Sequence, residues 1–461
     1  MIDDLVKFLE DKAAEFGAKN DSEYGKSYIL RNNTKTDALK DSGAFFALIS
    51  PDEETSGPFH DFSIALFPND QGKPWLLALG IGSSGFKNDY ELATYPGLRR
   101  LFSKLVNADG FAKSDLSDIE TSLPREIVGH KNLQHIKNTI KTYTKFLPVC
   151  QILDEPNSEA DKNIIAAFIA AYAKIRGWPN NANQRNAVET ALTHFINKAE
   201  IDDAPIVSKL LAERRFIVLQ GAPGTGKTTL AKQVASNSSN IIHFTQFHAE
   251  TSYSDFIYGI RPNVENESLS YVSKNGVLAN AIVDAQNNPS SNIILIIDEI
   301  NRANLATVLG PAFYLFEHQM QDSDIEVEVT PELKIKKLPE NFYVIATMNT
   351  SDRSLAVVDF ALRRRFAWYN LKPKSLNIKQ FFKEDFVKIS GIFDWHANGV
   401  ELSLQPGQGY FIAHSEAEML NRIRYEIYPL IKEYLLEGLL QSAKEELNDY
   451  FVKRIQLAIY E

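Results

Sequence analysis

The feature that most constrains this chain is the run GAPGTGKTT at 221–229. Gly221, Gly226, Lys227 and Thr228 meet the spacing G-x-x-x-x-G-K-[ST], with Pro223, Gly224 and Thr229 in the same loop. An apolar run, FIVLQ (216–220), precedes it, and a helix-forming stretch, TLAKQVA (229–235), follows. Strand, glycine loop and helix in that order make a phosphate-binding turn. Glycines let successive N–H groups curve around an anion, and the helix N-terminus adds positive potential. Lys227 then reaches the β- and γ-phosphates of a nucleotide, and Thr228 offers a hydroxyl to Mg²⁺.

Three further runs, IIHFT (241–245), IILIID (293–298) and FYVIATM (342–348), are largely apolar. Strands buried on both faces read this way, so the expectation is a parallel sheet covered by helices. Two of these strands end in useful polar groups. Asp298 closes the second run and would hold Mg²⁺; Glu299 follows it and would orient the attacking water. Asn349 ends the third run and can hydrogen-bond a γ-phosphate or that water. Downstream, DFALRRRF (359–366) places Arg363, Arg364 and Arg365 in a row, more arginines than one core could take. Inserted into a neighbouring subunit's site, such a guanidinium would stabilise charge on the phosphoryl oxygens, which requires an oligomer.

The 461 residues divide by pattern into four segments. Residues 1–155 read as an α+β domain, with strand-like runs at 44–50, 61–68 and 74–83 and a helix at 95–106. Residues 156–212 read as a helical linker region, opening on the polar stretch DEPNSEADKN (154–163). Residues 213–375 are the nucleotide-binding unit and 376–461 a helical lid, with one long helical pattern over 419–443. The formal charge of −10 excludes a blanket nucleic-acid coat, so any DNA contact must come from a local basic patch. The single cysteine, Cys150, excludes an internal disulfide framework and fits a reducing cytoplasm. No apolar run has membrane-span length, and MIDDLVKFLEDK is too acidic for a signal peptide. His243 and His248 lack metal-ligand spacing and read as structural.

Taken together, the motifs resemble an AAA+ ATPase/GTPase module, and more narrowly the McrB family, GTP-driven motor subunits of modification-dependent restriction systems. The resemblance covers about 205–440. It is carried by MNTSDRSLAVVDFALRRRF (348–366), DEINRANLATVLGPAFYLFE (298–317) and YSDFIYGIRP (253–262) with LSYVSKNGVL (269–278), and by GYFIAHS (409–415) and RYEIYPLIKEYL (424–435) in the lid. It departs at Leu309-Gly310-Pro311, where the family has Phe-Gly-Glu and a proline would shift the helix start.

The fold it implies is an AAA+ parallel sheet with helices on both faces and a C-terminal lid, preceded by a small α+β domain. The resemblance further implies GTP with Mg²⁺, ATP remaining open because the motifs touch phosphate and not base. It implies a ring, by family a hexamer, and an McrC-like nuclease partner that stimulates hydrolysis coupled to DNA translocation. Asp352 and Arg353 would help position the catalytic water, Arg364 and Arg365 would act in trans, and Arg363 could substitute. The hairpin-like segment 324–339 would face the pore or a partner stalk. Residues 1–155 are by position the DNA reader, with Lys73, Trp75, Phe86, Lys87, Tyr95, Arg99 and Arg100 as candidates for phosphate contact and base stacking. Two other readings stand beside this one: a MoxR-like ATP-dependent protein-remodelling chaperone, and a nucleotide-dependent sensor in anti-phage defence.

Overall fold

The computed structural model describes the whole chain apart from residues 1, 21–24, 41–42, 55, 70–71, 131–132, 134–135, 197–201, 266–267, 318–325, 352–359 and 460–461. The chain forms two compact units: 1–199 with 394–396, and 200–393 with 397–461.

In the first unit, six strands, β1 (Ile29–Asn33), β2 (Phe45–Ile49), β3 (Phe62–Phe67), β4 (Trp75–Ile81), β5 (Gly110–Ala112) and β6 (Val149–Leu153), form one antiparallel sheet in the order β1-β2-β3-β4-β6-β5. Side chains alternate between two cores, as the period of a strand requires. Phe46, Leu48, Ile64, Leu66, Leu77 and Leu79 face one of them, together with helices 2–15, 159–175 and 182–196. Ala47, Ile49, Ala65, Phe67, Leu76 and Ala78 face the other, with residues from 123–147.

The expectation of a helical linker over 156–212 needs correcting. Helix 159–175 has nine consecutive buried residues, Ile165 to Ala173, so it cannot stand in solvent. Its Tyr172 hydroxyl donates to the Phe62 carbonyl at 2.9 Å, and Arg176 grips Asp89 at 2.8 and 2.6 Å. The polar stretch before it is a cap, with Ser158 Oγ accepting from the Asp161 amide. Helix 203–214 instead packs into the second unit through Ala204, Val207 and Leu211.

The second unit is built on a five-stranded parallel sheet, order β15-β7-β14-β11-β8, from β7 (Phe216–Gly221), β8 (Ile241–Gln246), β11 (Ile293–Asp298), β14 (Phe342–Asn349) and β15 (Ala367–Asn370). Successive residues of its central strands enter opposite cores, Leu295 and Ile297 one and Ile294 and Ile296 the other. The run at 241–245 is not buried on both faces. As the edge strand, β8 leaves Ile242 and Phe244 exposed. Two hairpins interrupt the alternation: β9 (Tyr258–Glu265) with β10 (Ser268–Asn275), and β12 (Val327–Thr330) with β13 (Leu333–Ile335). At the departure noted above, the helix 305–309 ends and Gly310, at φ +46°, opens a tighter helical stretch over 310–316 led by Pro311. The lid is helical, with a core of Ile389, Phe393, Met419, Ile423, Ile427, Leu447 and Phe451. The pattern over 419–443 is not one helix. It runs as 416–422, a widened turn at 423–427, and 428–436, with Pro429 in the first turn of the last piece. No helix among the described residues is long and apolar enough to cross a membrane.

Candidate nucleotide site

Because β14 lies between β7 and β11, three strands end side by side at one edge of the sheet. The glycine loop follows the first, Asp298 ends the third, and Asn349 ends the middle one. This edge, at the carboxyl ends of parallel strands, is where open α/β sheets bind ligands.

The loop's shape depends on residues without side chains. Gly224 and Gly226 have φ of +76° and +85°, and a Cβ at Gly224 would meet the Tyr410 ring at 2.9 Å. Helix 227–238 starts directly after Gly226. Lys227 is buried, and its ammonium donates to the carbonyls of Gly221 and Ala222 at 3.0 and 2.9 Å. Thr228 Oγ donates to Asp298 Oδ1 at 2.7 Å, and Thr347 Oγ donates to the same oxygen at 2.6 Å. A hydroxyl beside a nine-tenths buried carboxylate is the hard oxygen pair that Mg²⁺ prefers, so the residues present fit a nucleotide-bound magnesium ion.

Glu299 sits just past the sheet with φ 56° and ψ 48°. That left-handed geometry costs a non-glycine residue about 1–2 kcal/mol. Its amide donates to Thr347 Oγ at 3.1 Å, and its carboxylate accepts from Asn349 Nδ2 at 2.8 Å and from Arg302 Nε. Glu299, Asn349, Asp298 and Thr228 are therefore joined in one hydrogen-bonded chain through Thr347. The sequence reading missed Thr347. The signal available was a hydroxyl two residues before Asn349 in an otherwise apolar strand. It also missed Asn301, buried beside this chain, whose Nδ2 lies 3.4 Å from the Asn349 carbonyl.

The lid contributes as well. Gly407 N donates to Pro223 O at 2.9 Å, Gly409 N to Gly224 O at 2.8 Å, and Gln408 Nε2 to Thr225 O at 2.8 Å. Thr350, next to Asn349, donates from its hydroxyl to the Ser403 carbonyl.

Three arginines follow, and the structure separates them. Arg365 is buried, bonded to Glu317 at 2.7 Å and stacked over Phe313 at 4.2 Å. Arg363 lies over Trp368 at 5.0 Å, and Arg364 is exposed. Of the pair expected to act in trans, Arg365 is thus engaged within its own subunit. Asp352 and Arg353 lie outside the described residues.

Of the seven reader candidates in the first unit, Tyr95, Arg99 and Arg100 lie on or beside one helix, 96–103, and each has its own surroundings. Trp75 is a core residue, 1% exposed. Lys73 pairs with Glu155, Arg99 donates to the Lys113 carbonyl, and Tyr95 donates to Glu91. Phe86 packs edge-on between Phe62 and Tyr90, Arg100 is half-buried, and Lys87 is exposed. His243 bonds Asp284 at 2.9 Å. Cys150 is fully buried, and burial pushes its thiol up to about 12.

Residues 216–366 match the AAA domain of the dynein-related subfamily. The chain is 33% identical over 407 residues to the Type IV methyl-directed restriction enzyme EcoKMcrB subunit of Escherichia coli (strain K12), spanning 79% of this chain and 86% of that one. It is 29% identical over 206 residues to the Type II restriction enzyme BsuMI component YdiS of Bacillus subtilis (strain 168), spanning 36% of this chain and 60% of that one. With the sheet, the phosphate loop and this extent of identity in agreement, the chain belongs to the McrB family of AAA+ nucleotide hydrolases.

Proposed function

We propose that this protein is the GTP-hydrolysing motor subunit of a restriction complex, assembling as a ring, by family a hexamer, and driving DNA translocation for an McrC-like nuclease partner. The observation that supports it most is the continuous chain Thr228–Asp298–Thr347–Glu299–Asn349 beside the phosphate loop. In this reading Lys227 and the loop amides hold the β- and γ-phosphates, and Thr228 and Asp298 hold Mg²⁺, which would neutralise phosphate charge when bound. Glu299 orients and deprotonates water, and Asn349 fixes the Glu299 carboxylate. Arg364 reaches the neighbouring subunit's site, with Asp352 and Arg353 assisting.

The relatives' descriptions as restriction-enzyme components support a DNA substrate and a separate nuclease. The first unit is then the DNA-reading element. Turnover of GTP and of ATP, each with and without the partner nuclease, tests the whole reading. GTP turnover that rises with partner is expected; ATP-only turnover indifferent to partner would overturn it. Lys227→Ala should lose nucleotide binding, measured by fluorescent-nucleotide titration. Glu299→Gln should keep binding and assembly by light scattering but lose hydrolysis, and normal turnover would remove Glu299 from its assigned role.

A further inference from the structure

The groups assigned to hydrolysis fix which way a nucleotide lies in the phosphate loop. Its γ-phosphate end points toward Glu299 and Asn349, which stand on the β11 and β14 side of β7. Ribose and base then leave on the other flank, where β15 is the neighbour of β7. Three pieces of chain meet there. Helix 203–214 leads through Arg215 into β7 and packs back along it, so its first residue stands at the carboxyl edge of the sheet. The stretch after β15 crosses the loop: a Cβ on Gly221 would lie 2.4 Å from the Leu371 carbonyl oxygen. Gln408 of the lid donates to the Thr225 carbonyl at 2.8 Å and accepts from the Lys374 amide at 3.2 Å. Lys374 therefore stands one glutamine amide away from the phosphate loop.

Asp203 gives this flank its chemistry. Its Oδ1 accepts from the Tyr369 hydroxyl at 2.6 Å, and its Oδ2 accepts from the Lys374 ammonium at 2.7 Å. Burial and the adjacent carboxylate push the Tyr369 hydroxyl up to about 12, so it stays a donor at neutral pH. One partner on each oxygen holds the carboxylate plane still before any ligand arrives. An ionised carboxylate has about four lone-pair sites, so each oxygen keeps capacity for one more donor. The Asp203 side chain is 13% exposed, enough for a ligand to reach it.

We propose that Asp203 selects guanine, its two oxygens accepting from the guanine N1–H and the N2 amine, with Tyr369 and Lys374 as positioning residues. This rests on the reading of the protein as a GTP hydrolase. Two adjacent donors on guanine match two adjacent acceptors on a fixed carboxylate, and bonds to a charged group are the strong kind. Adenine offers a donor only at N6 and an acceptor at N1, so one carboxylate oxygen would face a lone pair. Hypoxanthine keeps N1–H and lacks the amine, so it forms one bond of the two. Discrimination comes from the mismatch as much as from the match.

The test uses the full chain with Mg²⁺ and the diphosphates GDP, IDP, XDP and ADP, each competing with a fluorescent nucleotide, so that turnover does not intrude. The wild-type chain should bind GDP about tenfold or more tighter than ADP, with IDP between them. Asp203→Asn keeps one acceptor and adds a donor, which matches xanthine, whose C2 carries a carbonyl in place of the amine. In that variant GDP should weaken by about tenfold or more and XDP should become the tightest of the four. Lys374→Met breaks the ion pair and leaves the carboxylate, so the order GDP, IDP, ADP should persist. A wild-type chain without preference for GDP over ADP sinks the GTP reading, and the Asp203 assignment with it. If the wild type prefers GDP and Asp203→Asn keeps that preference, or weakens all four ligands alike with no gain for XDP, the GTP reading stands and the Asp203 assignment is overturned.

Discussion

Thr347 touches both halves of the proposed catalytic machinery. Its hydroxyl donates to Asp298 and accepts from the Glu299 amide, so one side chain sets the metal carboxylate and the residue assigned to water. Thr347→Val keeps the shape and removes both bonds. Residues of this supporting kind usually change activity ten- to a hundredfold, so turnover should fall by about that factor with nucleotide affinity little altered. Comparing kcat with nucleotide Kd checks it, and an equal loss in both would mean that Thr347 merely supports the fold. The arginines separate in the same way. Arg364→Ala should abolish turnover without moving the melting temperature. Arg365→Ala should destabilise the subunit by on the order of 3 kcal/mol, because it strands Glu317. Denaturant unfolding of both variants decides; the reverse assignment follows if Arg365→Ala is fully stable yet inactive.

At the scale of elements, the lid segment 407–409 is built into the nucleotide site. A Cβ on Gly407 would lie 2.2 Å from the Gly224 carbonyl carbon, a backbone clash that no rotamer relieves. Gly407→Ala should therefore cost roughly 1–3 kcal/mol and weaken nucleotide binding; unaltered binding by calorimetry would separate lid from site. This contact was not legible in the sequence, because PGQGYFIAHS (406–415) carries no sign of which loop it meets. The central strands were legible, since a continuous apolar run has few other uses. The edge strand β8 looked the same, because a run of five residues does not say whether a neighbour covers both faces. Helix 159–175 was mistaken for linking chain because its alanines conceal how completely it is buried. Asp298, Glu299 and Asn349 are legible as candidates because each stands at or just past the end of an apolar run.

For the molecule as a whole, the formal charge of −10 sets how DNA would be held under the proposed function. Contacts must be few and local, so the salt dependence of binding should be shallow. The slope of log K against log[salt] is expected near −2 to −4, at about 0.9 per phosphate neutralised. A titration series from low to physiological salt measures it, and a slope near −10 would indicate an extended basic surface that this composition does not offer.

The loop that would cradle phosphate has carbonyls at three successive residues, 223 to 225, that are already given to the lid. A cap fastened this way is not a free flap. Lifting it alone breaks three hydrogen bonds, each worth about 1 kcal/mol net, so the easier movement carries loop and cap together. Departure of a phosphate would then displace the cap as one piece, and the length of the stroke would be set by a turn of three residues. The amides of Gly407 and Gly409 should exchange with solvent as slowly as those of the sheet core.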